Sequence, residues 1–185
     1  MLKELYEFAK NPLYNQDTNK QFKYRFRKLV KLLALAISFS ILLLMVASTI
    51  QSVFGLEIGK HAIDDLFEDN SPLAIFMLAV FVAPFLEELI FRGPLAWFRN
   101  SDYFNFIFYS FTVCFGFVHI TNFELTPQVW LLSPLLVAPQ ISVGFVLGFI
   151  RIKFGLLWSM VLHASYNLIL IFPLVIMKFL DIQIE

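Results

Sequence analysis

Charge is missing from most of this chain in long uninterrupted blocks, and that limits its possible folds more than any other feature. Leu32 to Leu56 holds 25 residues without Asp, Glu, Lys or Arg; Tyr103 to Phe123 holds 21, Leu125 to Ile150 holds 26, and Phe154 to Met177 holds 24. A helix needs about 20 apolar residues to cross a hydrocarbon core, so each block is long enough. A fifth block, Asn70 to Leu86, runs for 17 residues, meets Glu87 and Glu88, and turns apolar again as far as Phe98. It reads as one long span with charges inside it. Backbone in lipid must satisfy its own hydrogen bonds, and these blocks are too long for barrel strands. The expected fold class is therefore all-α: a polytopic helical membrane bundle with about five transmembrane helices, over roughly 31–54, 72–98, 103–121, 128–150 and 155–178.

Composition points the same way. Of 185 residues, 59% are hydrophobic and 15% charged, where a soluble domain carries about 25% charged residues. The 14 basic and 14 acidic side chains cancel, so nothing draws the whole chain to nucleic acid. Cys114 is the one cysteine, which excludes an internal disulfide framework and a Cys-based zinc cluster. Pro84, Pro134, Pro139 and Pro173 fall inside spans, where kinks are expected.

Residues 1–31 carry eight basic groups against three acids. The next loop reverses this, with Glu57, Asp64, Asp65, Glu68 and Asp69 against Lys60, and basic residues return at Arg99, Arg151 and Lys153. That alternation places a multi-pass protein in the cell membrane with its N-terminus in the cytoplasm. The first apolar run starts too late and is too long for a cleavable signal. The basic stretch from Lys20 to Lys31, interleaved with Phe22, Tyr24 and Phe26, reads as a lipid-headgroup anchor. The chain thus divides into a basic cytoplasmic segment (1–30), a first span with an acidic outer loop (31–71), a membrane core (72–179) and a short tail (180–185). His61, in the acidic loop, receives no role.

Glu87, Glu88, Arg92, His119 and His163 are the ionisable groups left at membrane depth. Each is costly there, by about 2.5 kcal/mol or more, which makes function the default explanation. Glu88 and Arg92 are four residues apart on one helical face and can pair. Glu87 is turned about 100° away, so one carboxylate is held by the arginine while its neighbour is left to exchange protons as a general base. A buried ion pair beside a spare, partly solvated glutamate, present only to fix packing, is the alternative for Glu88, Arg92 and Glu87. Phe115 and His119 are likewise one turn apart, as are His163 and Asn167, whose polar heads can point at one spot. An ordinary interhelical hydrogen bond would also explain Asn167.

Taken together, Glu87-Glu88-Leu89-Ile90-Phe91-Arg92, Phe115-Gly116-Phe117-Val118-His119 and His163-Ala164-Ser165-Tyr166-Asn167 fit E-E-x-x-x-R, F-x-x-x-H and H-x-x-x-N. In this order they resemble the CAAX protease and bacteriocin-processing (CPBP, or Abi) family of intramembrane proteases, which includes the type II CAAX prenyl endopeptidases. The resemblance covers roughly residues 72 to 170. It implies that Glu87 activates a water, sharing the task with His119, that Glu88 is the second glutamate, and that Arg92 holds the carboxylates. His163 and Asn167 match the pair assigned to the oxyanion of the tetrahedral intermediate, a role suited to two donors in a low-dielectric site.

The function that follows is an intramembrane endopeptidase acting on a membrane-embedded or membrane-anchored peptide or protein. Its other partner is the lipid bilayer. The alternatives are a non-catalytic membrane protein, such as a bacteriocin-immunity factor, and a small proton-coupled transporter. The family is often labelled a metalloprotease, and His119, His163 and Glu87 would be acceptable zinc ligands. H-E-x-x-H is absent, however, and metal-independent activation of water is expected. One feature strains the shared site. Counted along straight helices from the cytoplasmic edge, His119 lies about 9 Å further out than Glu87 and His163.

Overall fold

The protein was analysed as a computed structural model that describes residues 1–56, 59 and 62–180. Glu57, Lys60, His61 and the tail 181–185 lie outside the described residues, as do the side chains of 62–65. The described chain is helical, and five segments are long and apolar enough to cross a membrane: Phe22–Phe54, Pro72–Ala96, Phe104–Asn122, Pro127–Phe154 and Leu156–Phe179. Each expected span is found. The fold is an all-α bundle of a multi-pass membrane protein.

The boundaries differ in instructive ways. A short helix, α1 (Leu2–Lys10), precedes the first span, and α2 (Phe22–Phe54) begins well before residue 31. The helix α3 (Ala62–Asp69) lies in the acidic loop. The second span is three pieces: α4 (Pro72–Met77), a π-turn over Leu78–Val82, and α5 (Ala83–Phe91). The third is α6 (Phe104–Val118) continued by a 3-10 turn at His119–Asn122. The fourth breaks at Val137 into α7 (Pro127–Leu136) and α8 (Ala138–Phe154). Pro139 has no N–H to offer the Leu135 carbonyl four residues back, so the helix restarts there. Pro134 and Pro173, by contrast, are carried inside α7 and α9 (Leu156–Phe179).

Helix α8 is the centre of the bundle, packed between α2, α6 and α9. Val143, Val146, Leu147, Phe149, Ile150 and Ile152 are all buried, so it has no lipid-facing stripe. Gly144 and Gly148 form a small-residue face that lets α6 approach closely. A Cβ on Gly148 would lie 2.5 Å from the Phe108 ring.

The N-terminal segment is not a free anchor. Phe8 of α1 is buried edge-on against Phe108 and Phe149, and the Tyr109 hydroxyl donates to the Ala9 carbonyl. Lys28 binds Glu4 at 2.9 Å and Asp17 at 3.2 Å, and Arg25 Nε donates to the Asn19 carbonyl. Of the basic stretch, Lys20, Lys23, Arg27 and Lys31 remain exposed. The run Lys20 to Lys31 hides this, because the acids that claim Lys28 come from further back in the chain.

Candidate active site

Glu88 is fully buried on α5, and three groups hold it. His163 Nδ1 donates to its Oε1 at 3.0 Å. Arg92 Nη1 lies 3.4 Å from the same oxygen, and the Ser159 hydroxyl donates to Oε2. Arg92 closes α5 as its C-cap, so its side chain is free to fold back along the helix. The guanidinium lies over the Phe115 ring, 3.8 Å from the centroid, and Nη2 donates to the Gly144 carbonyl at 3.2 Å. Its own carbonyl accepts from Arg151 Nε. This approach needs glycine at 144: a Cβ there would stand 2.8 Å from Phe115 and 3.1 Å from Arg92 Nη2.

Glu87 is placed differently. Its Oε2 is buried and accepts no hydrogen bond, yet it faces His163 Nε2 at 3.7 Å and His119 Nε2 at 4.0 Å. His119 Nδ1 lies 2.8 Å from the Phe115 carbonyl, which only accepts, so Nδ1 carries the proton and Nε2 the lone pair. The Glu88 carboxylate fixes His163 in the same tautomer. Three acceptor atoms therefore converge with no donor between them. A water, with two protons to give, is the natural occupant of that point.

The depth difference expected for His119 does not keep it from Glu87. Because α5 stops at Phe91 and turns, counting a straight helix inward from Trp97 misplaces Glu87.

Asn167 takes a different partner from His163. Its Nδ2 donates to the Ala79 carbonyl at 2.8 Å. Ala79 belongs to the π-turn, where each carbonyl is met by the N–H five residues on. For Ala79 that residue is Pro84, which has none. Asn167 satisfies the carbonyl that the proline leaves open, and so holds the backbone two turns before Glu87.

The structure thus brings Glu87, Glu88, Arg92, His119 and His163 into one constellation and sets Asn167 one step behind it. Cys114 is exposed and stands apart from it. Two imidazoles anchored through Nδ1, with a carboxylate, are chemically suited to zinc. As placed here, their Nε2 atoms lie 3.7 and 4.0 Å from Glu87 Oε2, somewhat wider than the roughly 3.3–3.4 Å between tetrahedral ligand atoms that bonds of about 2.0–2.1 Å set. Among the described residues no three His, Cys, Asp or Glu side chains form a metal-ligand group. Ser159 and Gly144 escaped the sequence reading. The spacing Gly144-x-x-x-Gly148 was the available signal for the glycine; a lone serine in an apolar run gives none.

No curated protein and no solved structure matches the chain. Residues 69–169, however, match the family described as type II CAAX prenyl endopeptidase Rce1-like. The matched stretch is more than half of the chain and contains all six motif residues, from Glu87 to Asn167. A family assignment of that extent, on a five-span bundle that gathers two glutamates and two histidines at one point, leaves little room for accident, and the chain belongs to the Rce1-like family of type II CAAX prenyl endopeptidases.

Proposed function

We propose that this protein is an intramembrane endopeptidase that hydrolyses a peptide bond in a prenylated, membrane-anchored protein or peptide without a metal. The observation that carries the reading is the partnerless Oε2 of Glu87, faced by two imidazole nitrogens that bear lone pairs. A water at that point gives one proton to Glu87 and hydrogen-bonds His119 with the other, and its oxygen attacks the scissile carbonyl. Glu87 shares this proton with His163 Nε2, 3.7 Å away, and through it the imidazole hydrogen-bonds the oxyanion. Glu87 then returns its proton to the leaving amine. Arg92 and Ser159 keep Glu88 in place, and Asn167 acts through the π-turn.

An apolar groove supports a lipid-bearing substrate. It is lined by Val80, Phe81, Pro84, Leu86, Met160 and Ala164, on the flank of α5 and α9 that faces lipid. Leu86 and Ala164 are the chain neighbours of Glu87 and His163, so the groove offers an isoprenoid chain an apolar seat along the two helices that carry the site.

The test is turnover of a farnesylated Cys-a-a-X peptide by purified protein. Glu87→Gln keeps the shape but removes the base, and should abolish cleavage with thermal stability nearly unchanged. Wild-type turnover in that variant would end the assignment. Strong chelators should leave the wild-type rate unaltered; loss of activity restored by added zinc would overturn the metal-free reaction.

A further inference from the structure

Among the described residues three buried side-chain atoms lack a hydrogen-bond partner: Glu87 Oε2 and Arg92 Nη1, which face other site groups, and Gln140 Oε1, which does not belong to the constellation described above. Gln140 stands in the first turn of α8, and its Oε1 is buried without a hydrogen-bond partner. A buried amide oxygen left unpaired is destabilising in an apolar interior, and native interiors keep few of them. Where such a group persists beside a reaction centre, it marks a position waiting for a donor.

Its place on the helix says which donor. Residues 140, 144 and 147 share one face of α8. On that face Gly144 touches Phe115 and Arg92, and the Leu147 carbonyl lies 3.1 Å from Ser159 Oγ, the hydroxyl that binds Glu88. Gln140 continues this face by one turn. The next residue, Ile141, packs its backbone against Gly116, three residues before His119. Gln140 therefore stands in the layer of His119, on the side of α8 that faces Glu88 and His163.

We infer that Gln140 is a substrate-binding residue, whose side-chain oxygen accepts a backbone N–H of the bound peptide and so sets the scissile carbonyl against the water at Glu87. The ligand class is an extended peptide segment: it offers an N–H close to the carbonyl under attack, whereas an isoprenoid chain offers no donor. This rests on the endopeptidase reading, and deepens it.

The experiment measures binding apart from turnover. A fluorescent farnesylated Cys-a-a-X peptide is titrated against Glu87→Gln protein with and without Gln140→Leu, and thermal unfolding is followed without peptide. Expected are an affinity about tenfold weaker, the usual effect of one neutral hydrogen bond, and an unfolding temperature unchanged or higher, since the unpaired acceptor is gone. Equal affinity overturns the inference, and so does a clear fall in unfolding temperature, which would mean the amide supports the fold. If Gln140→Leu does not fold, Gln140→Met replaces it, and failure of both overturns the inference as well. Peptide that binds but is never cleaved by the wild type defeats the endopeptidase reading alone.

Discussion

Around Glu88 the charges lie wholly under protein, while around Lys28 similar charges lie at the rim of the bundle. Arg92 and Glu88 are 2% and 0% exposed, whereas Lys28 and Glu4 are 15% and 32% exposed. The rim network joins α1 to α2 through Lys28, and the inner one joins α5 to α9 through His163, each by acids and bases within 3.4 Å. They differ in what replaces a lost partner. At the rim, water and headgroups can solvate a stranded ion; inside the bundle nothing can, so a buried pair is weak support while whole and expensive when broken.

The sharpest way to break the comparison is Arg92→Ala. It strands the Glu88 carboxylate with only His163 and Ser159 and removes the cation from the Phe115 ring. The expected loss is about 3–5 kcal/mol, read as a lower yield of folded protein and a much lower unfolding temperature in detergent. Normal stability would mean that Glu88 is neutral or solvated.

Gly144→Ala tests the same network without touching a charge. Its new methyl would meet Phe115 at 2.8 Å and Arg92 Nη2 at 3.1 Å, each of which must shift. Overpacking of this kind costs about 1–3 kcal/mol. Since Arg92 moves with it, activity should fall further than stability does. An alanine variant matching the wild type in both would show that the ring and guanidinium have room to spare.

What the sequence disclosed follows from the same contrast. The spans were legible because missing charge is a local signal, and the chemistry was legible because charge within a span is an anomaly. The second glutamate illustrates both: Glu88 and Arg92 lie on one helix at four-residue spacing, and they pair as that spacing requires. What stayed hidden depends on the meeting of distant segments. Nothing near Pro84 announces that Asn167, far along the chain, will cap the carbonyl it leaves open. Likewise nothing in the run Lys20 to Lys31 reveals that Glu4 and Asp17 will claim Lys28, or that Phe8 will leave the interface for an aromatic pocket.

The smallest effect belongs to the rim. Asp17 accepts the Tyr24 hydroxyl at 2.7 Å, the Asn19 N–H at 2.9 Å and Lys28 Nζ at 3.2 Å. Its partial burial pushes the carboxyl pKa up, but the Tyr24 and Asn19 hydrogen bonds and the Lys28 charge outweigh this, and the net direction is down. A carboxyl held below its unfolded value of about 3.9 stabilises the fold above that pH and ceases to do so as pH falls through the folded value. Asp17→Asn should therefore cost about 0.2–1 kcal/mol at neutral pH, as exposed pairs do. Below pH ~4 the variant should lose stability with acid less steeply than the wild type, because the titrating group is gone. Unfolding temperatures of the two proteins from pH 2 to pH 7 check this. A difference that persists undiminished at the acid end would assign the effect of Asp17 to shape rather than charge, and would remove the rim network from the comparison.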